Sequence, residues 1–277
     1  MSDRRRILAN GRVAATGLEG QVASEKFTDG VLCRIKVPQA DLRAAPAGKR
    51  DRQLLFGDAF LVLEIHAGWG FGQAQKDGYV GYVSEGDLAE YLPPTHRVVA
   101  RATHVYPTDD FKSEALCGLS FGALVTVRDA GERFAALATG GFVPNAHIAP
   151  VTERFNDPVD VAEKFIGVPY LWGGNSIGGI DCSGLVQMSL LACGMDCPGD
   201  ADMQETELGQ AIGDNVQLRR GDLLFWKGHV AMMVDADTII HANAHHMAVV
   251  REPMEAAVRR IETQGFGPVT RRKRLPG

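Results

Sequence analysis

Two stretches of the chain run through the same order of apolar and polar positions. The first is LLFGDAFLVLEIHAGWGFGQAQKDGYVGYVSEGDL and the second LSFGALVTVRDAGERFAALATGGFVPNAHI. Each has leucine ahead of a Phe-Gly pair (Phe56-Gly57, Phe121-Gly122), then a β-rich run to a glycine turn (Gly68, Gly131). Each resumes at an aromatic residue (Trp69, Phe134) and closes on Gly-aromatic-Val (Gly81-Tyr82-Val83, Gly141-Phe142-Val143). Short strands punctuated by glycine turns predict two small β-barrels, over residues 30–92 and 97–150. YLPPTHR between them reads as a linker, because two prolines interrupt any continuing element. Residues 1–29 are short on apolar periodicity and are expected to form an arm, either loose or laid as a helix against the rest.

After Pro150 the period changes from two to that of a helix. NDPVDVAEKFIG offers Asp157 as N-cap, Pro158 in the first helical position and Gly167 as the stop. DCSGLVQMSLLACG predicts a second helix between Asp181 as N-cap and Gly194 as terminator. DADMQETELGQAIG predicts a third. The short apolar runs DLLFW, HVAMMV, TIIHAN and MAVVRE follow as strands. Helices followed by strands predict an α+β domain over 151–277, with the helices packed on one face of an antiparallel sheet.

Composition bounds what such a chain can do. Its 277 residues are 45% hydrophobic and 23% charged, the balance of an ordinary globular protein, and suffice for two or three domains. The net charge of −5 supplies no basic field for nucleic acid or an anionic membrane, so neither is an expected partner. TRRKRLPG reads as a solvated terminal run. MSDRRRILANGRVAATGLEG has a basic start but no apolar stretch behind it, so no secretory signal is expected, and no segment approaches a membrane span. Five cysteines, an odd number, suit a reducing compartment, which makes the cytoplasm the expected location.

One of those cysteines sits where chemistry is favoured. Most lone cysteines are small buried hydrophobes. If Asp181 caps the second helix, however, Cys182 lies in its first turn, where unpaired N–H groups and the positive end of the dipole favour a thiolate. A nucleophile also needs a base, and the base needs an orienting group. His229 opens HVAMMV and His241 ends the apolar part of TIIHAN, so two neighbouring strands can set the rings side by side. A bond from His241 to one nitrogen of His229 leaves the other for sulfur. Cysteine, histidine and a polar residue, in that chain order, is the arrangement of papain-like enzymes.

PYLWGGNSIGGIDCSGLVQ, RRGDLLFWKGHVAMMV and IIHANA together resemble the signature blocks of the NlpC family of bacterial cell-wall peptidases, in the right order. The two β units resemble bacterial SH3-like barrels. The resemblance implies a papain-like domain in which Cys182 is the nucleophile, His229 the base and His241 its orienting partner. It also implies that Tyr170 assists at the oxyanion beside the Cys182 N–H. Trp172 and Trp226 are expected to wall the groove, and Asp181 and Ser183 to lie with the substrate. The implied substrates are murein-derived peptides, cut between γ-D-glutamate and a diamino acid, either diaminopimelate or lysine. In members that recycle such fragments, a barrel offers an acid and a tyrosine to the free amine of an N-terminal L-alanine. By position these are Asp58 and Tyr79, with Tyr82 close by. Asp200 and Asp202 are expected at the same amine or at the diamino acid, or else one caps the third helix.

No cofactor is implied. His245 and His246 invite a metal reading with His241, but Cys193 and Cys197 have neither the usual gap nor a partner pair, so no metal is expected. Gly173, Gly174, Gly178 and Gly179 precede no Lys-Ser/Thr and read as a flexible approach to the nucleophile rather than a phosphate cradle. The chain is expected to act as a monomer or weak oligomer. The alternatives are an inactive peptide-binding scaffold, or an amidase or acyltransferase acting on another amide.

Overall fold

The alternating residues of 31–90 build a seven-stranded antiparallel sheet in the computed structural model, which describes residues 3–276. The first two residues of the expected arm and the last residue of the expected C-terminal domain lie outside the described residues. The chain divides into two units, 1–153 and 154–277.

In the first unit the strands Val31–Ile35, Gln39–Arg43, Arg50–Leu55, Ala59–His66, Trp69–Ala74, Val80–Ser84 and Leu88–Glu90 wrap around Ile35, Leu42, Leu54, Phe60, Tyr79 and Val83. A register shift between Val62 and Glu64 bends the longest strand, as bulges do in small barrels. The pairing then recurs in residues 96–150. Strand His96–Val98 lies between Leu124–Val125 and Ile148–Pro150, as Val31–Ile35 lies between Ala59–His66 and Leu88–Glu90. Phe134–Leu137 lies between Val127–Ala130 and Phe142–Pro144, as Trp69–Ala74 lies between its own neighbours. The two copies meet at the first Phe-Gly turn. Leu124 N–H donates to Phe56 O at 2.8 Å. Gly57 has φ 82° there, and a Cβ on it would lie 2.1 Å from Leu124 O, so only glycine fits.

The arm is neither loose nor a long helix. Val13–Ala15 pairs in parallel with Lys26–Thr28, and Leu8 and Val13 bury themselves against Leu63, Phe71 and Val80 of the barrel. Val80 N–H donates to Arg5 O at 2.9 Å, and Arg12 pairs with Glu64.

The second unit centres on helix α2, Cys182–Ala192, of which all residues but Leu191 are buried. A helix apolar all round belongs in a core. It packs against α1, Pro158–Glu163, and against the strands His229–Met233 and Thr238–Asn243. Asp157 caps α1 through Val159 N–H at 2.8 Å, and Gly167 follows at φ 80°. The six-stranded antiparallel sheet runs in the order Gln210–Ala211, Arg271–Arg274, Leu223–Trp226, His229–Met233, Thr238–Asn243, Ala248–Pro253.

Three features depart from expectation. Helix α3 is only Ala201–Glu207; Gly209 at φ 48° turns the chain into strand Gln210–Ala211 instead of continuing the helix. The basic run near the C-terminus is an interior strand, not a solvated tail. Its Lys273 is buried, and Arg274 holds the carboxylate of buried Asp222 at 2.7 Å. A fourth helix, α4, Met254–Ile261, sets Ala257 and Ile261 over Leu224, Trp226, Met233 and Ile239. The alternate residues Leu223, Phe225, Val230 and Met232 are buried as well, so the sheet is covered on both faces rather than one. Among the described residues no helix is long and apolar enough to cross a membrane.

Candidate active site

The nucleophile's seat is built by one carboxylate. Asp181, in extended conformation, accepts Gly184 N–H at 2.7 Å through Oδ1 and Gly173 N–H at 2.9 Å through Oδ2. The first bond caps α2 and the second ties the preceding glycine segment to the cap. Cys182 is therefore the first residue of the helix and is buried. Ser183 Oγ also donates to Asp181, at 3.2 Å, and Gln204 Nε2 donates to Ser183 O at 2.9 Å. Asp181 and Ser183, expected with the substrate, are turned inward and hold the turn that carries Cys182.

Nor is the glycine segment flexible. Gly173, Gly174 and Gly179 are buried, and a Cβ on Gly174 would lie 2.4 Å from Gly179 O. These glycines are close-packing devices, since side chains would separate backbones that touch.

The base side comes from adjacent strands. His229 Nε2 and His241 Nδ1 are 2.8 Å apart, as the neighbouring strands suggested, which leaves Nδ1 as the other nitrogen of His229. Two groups that sequence reasoning missed hold the far side of His241. Its Nε2 lies 2.6 Å from Glu252 Oε1, and Arg260 grips the same carboxylate with two bonds, at 2.5 and 2.6 Å. Asn243 Nδ2 stands 2.9 Å from that Nε2. The signal for Glu252 was present in MAVVRE, a strand neighbour of TIIHAN. A lone glutamate at a strand end reads as solvated, and Arg260 sits on a helix that was not foreseen.

Tyr170 and exposed Trp172 line a cleft of about 260 Å³ together with His229, Asn243, His245 and Phe266. Trp226 does not wall it. The indole is 1% exposed, its ring lies 5.6 Å from that of His229, and it forms part of the core beneath the histidine. His245 and His246 stack edge to face, 4.7 Å apart. Among the described residues no three His, Cys, Asp or Glu are grouped to hold a metal ion.

Asp200 occupies the N-cap position of α3 without a side-chain cap bond, and Asp202 is exposed in its first turn. In the other unit, the Asp58 carboxylate accepts Leu55 N–H at 2.9 Å and pairs with Lys76 at 2.7 Å. Lys76 thus already occupies the place that the sequence reading gave to a substrate ammonium. Tyr79 is buried in the barrel core, and Tyr82 lies half-buried against Phe71.

Electrostatics keep the imidazole pair neutral. Burial, and then the charges of His241 and Arg260, push His229 well below the ordinary histidine range against the pull of Glu252. Burial lowers His241 too, overcoming Glu252. Burial alone would raise Glu252, but hydrogen bonds from Arg260 and His241 outweigh it and hold the carboxyl at about 2. Arg260 and the neighbouring His246 add to the lowering of His241. Because both histidines titrate below their ordinary 6.5, the unfolded chain takes up protons first as the pH falls. Their contribution to stability is present above that value and lost below it. The urea midpoint is expected to drop between pH 7.5 and 5, and to drop less in the double variant His229→Gln/His241→Gln. An equal drop in both proteins would show that the pair does not carry the effect.

The chain is similar to several known proteins. The NlpC/P60 family model matches residues 167–266, and that of the bacterial dipeptidyl-peptidase Sh3 domain matches residues 42–88. A gamma-D-glutamyl-L-lysine dipeptidyl-peptidase of Bacillus subtilis (strain 168) is 28% identical over 213 residues, covering 69% of this chain and 71% of that protein. Dipeptidyl-peptidase 6 of Lysinibacillus sphaericus is 41% identical over 86 residues, 31% of each chain. The crystal structure of an NlpC/P60 family protein from Bacillus cereus ATCC 10987 superposes with a TM-score of 0.73 at 20% identity, over 88% of this chain and all of that one. That likeness shows the fold. With a capped cysteine helix and a histidine pair on adjacent strands, residues 167–266 form an NlpC/P60 domain, and residues 42–88 ahead of it a bacterial SH3 domain.

Proposed function

We propose that this cysteine peptidase hydrolyses the amide between γ-D-glutamate and the diamino acid of murein stem peptides, with Cys182 as nucleophile, His229 as base and His241 as its orienting partner. The observation that carries the reading is the bond between the two imidazoles, which commits Nε2 of His229 and reserves Nδ1 for the thiol. The likeness to the gamma-D-glutamyl-L-lysine dipeptidyl-peptidase of B. subtilis supports the bond type.

In the proposed reaction the Cys182 thiol gives its proton to His229 Nδ1 as sulfur adds to the γ-carbonyl. The Cys182 N–H and the Tyr170 hydroxyl receive the developing oxyanion. The tetrahedral adduct collapses with loss of the amine, which takes the proton from His229, and a thioester remains. Water, deprotonated by His229, then releases the glutamyl carboxylate and restores the thiol. The departing diamino acid occupies the cleft beside His229, lined by Trp172 and Phe266.

The proposal extends to residues 97–150 as a second SH3-like barrel, to a preference for a free N-terminal L-alanine, and to murein-peptide recycling in the cytoplasm. Five free cysteines support the reducing compartment. Mass spectrometry of products from L-Ala-γ-D-Glu-diaminopimelate and its N-acetylated form tests the whole. Expected are L-Ala-D-Glu and free diaminopimelate, with the acetylated peptide at least about tenfold slower because acetylation removes the charged amine that the proposed preference recognises. Cleavage at any other bond, or none, would overturn the assignment, and equal rates would remove the amine preference.

A further inference from the structure

We infer that Glu252, clamped by Arg260, is a positioning residue that fixes the tautomers of His241 and His229 in series, so that the nitrogen offered to Cys182 is a bare acceptor. This rests on the Cys182–His229–His241 reading above.

A neutral imidazole carries one N–H and one lone pair, so each ring passes the choice on to the next. Glu252 is ionised: its carboxylate takes both bonds of a bidentate guanidinium and can only accept. The His241 Nε2, 2.6 Å from it, must then carry hydrogen, and His241 Nδ1 is left as an acceptor. Nδ1 meets His229 Nε2 at 2.8 Å, so that atom must carry hydrogen in turn. The lone pair of His229 is thereby confined to Nδ1, which is what the base for a thiol requires.

A competing instruction stands beside the carboxylate. Asn243 Oδ1 accepts His246 N–H at 2.8 Å, which fixes its amide and turns Nδ2, a donor, toward the same His241 Nε2 at 2.9 Å. If Asn243 prevailed, Nε2 would be bare and every tautomer down the line would invert. Charge-assisted bonds are roughly twice as strong as neutral ones, so Glu252 prevails. The His241 side chain is 0% exposed and that of Glu252 10%, so water offers no alternative partner to the buried ring.

Glu252→Gln reverses the outcome. Arg260 would claim the amide oxygen, the amide nitrogen would face His241 alongside Asn243, and both would donate to Nε2. Hydrogen then moves to His241 Nδ1, and His229 Nδ1 becomes a donor.

Two-bond ¹H–¹⁵N correlation of ¹⁵N-histidine-labelled protein at pH 7.5 reads the tautomers without substrate. Both rings are expected as Nε2–H in the wild type and as Nδ1–H in Glu252→Gln. That variant is expected to lose about 10²–10⁴-fold in kcat, the range that a wrong tautomer costs a related triad, with KM within about threefold. Its Cys182 should react more slowly with iodoacetamide by a similar factor, and Glu252→Asp should restore both tautomers and most of the rate. Wild-type rings found as Nδ1–H, or a Glu252→Gln enzyme with unchanged tautomers and kcat, would overturn the inference. The wild-type spectrum decides even if the variant fails to fold. Tautomers as stated in a protein inactive on murein peptide would instead sink the proposed function and leave the positioning role standing.

Discussion

Replacing Cys182 with alanine is expected to lower murein-peptide hydrolysis by at least about 10⁴-fold, to the level of the peptide without enzyme, while leaving the fold and peptide binding in place. The expectation separates chemistry from architecture at one position. Removing a nucleophile outright eliminates the covalent route, and the binding contacts that remain supply only a residual acceleration. The seat survives, because Asp181 holds the start of the helix through the backbone N–H groups of Gly184 and Gly173, which the substitution leaves in place. Alanine is also the best helix former for a first-turn site. Loss of one buried sulfur leaves a small gap costing about 1 kcal/mol. Steady-state kinetics and calorimetric titration with the uncleaved tripeptide measure the two halves. Turnover within a hundredfold of the wild type would mean that another group attacks the carbonyl.

Gly184→Ala is expected to damage the site without touching a reacting group. Helix propensity argues for the substitution by about 1 kcal/mol. Space argues against it more strongly. A Cβ at 184 would stand 2.4 Å from Gly174 O, a backbone atom, and a few tenths of an ångström inside ordinary contact with the side-chain oxygens of Asp181 and Asn175, at 3.0 and 3.1 Å. Overpacking against backbone costs about 1–3 kcal/mol, so after the propensity gain the net effect is a loss of up to about 2 kcal/mol as the first turn of α2 is pushed outward. The catalytic effect should be larger in proportion, because a displacement of about 1 Å at a reacting atom costs on the order of 10²-fold. Urea unfolding and kcat measured on the same preparation check both expectations. A variant as stable and as fast as the wild type would show that the two glycine backbones can part freely.

How much of this was legible before the structure depends on how local each signal was. Asp181, Gly194 and the apolar run between them specify α2 from neighbours alone. The side-by-side histidines required only that HVAMMV and TIIHAN be adjacent strands of one hairpin. Glu252 was illegible because its function depends on a buried ring on the neighbouring strand and on Arg260 from a helix, MEAAVRRI, that the sequence reading did not assign. The Arg271–Arg274 strand misled for the same reason. Four consecutive basic residues look solvated until Asp222, about fifty residues upstream, supplies a buried carboxylate for one of them. Helix α3 stopped early because strand pairing of Gln210–Ala211 with Lys273 and Arg274 overrode propensity. Asp181 and Ser183 show a finer limit: a polar side chain next to a nucleophile can serve the turn as well as a ligand, and here Asp181 bonds the N–H groups of Gly184 and Gly173 while Ser183 bonds Asp181.

The strand run from His229 to Glu252 brings together both imidazoles and the carboxylate that orders them within a single meander of twenty-four residues, whereas the sulfur comes from a helix that precedes it. Contacts so near in sequence close early and at low entropic cost. The proton-handling groups are therefore local to one meander, with Arg260 of α4 as its clamp, whereas the sulfur is brought to them only by the packing of α2 on the sheet. Completion of the site thus depends on the helix–sheet interface and not on the meander alone.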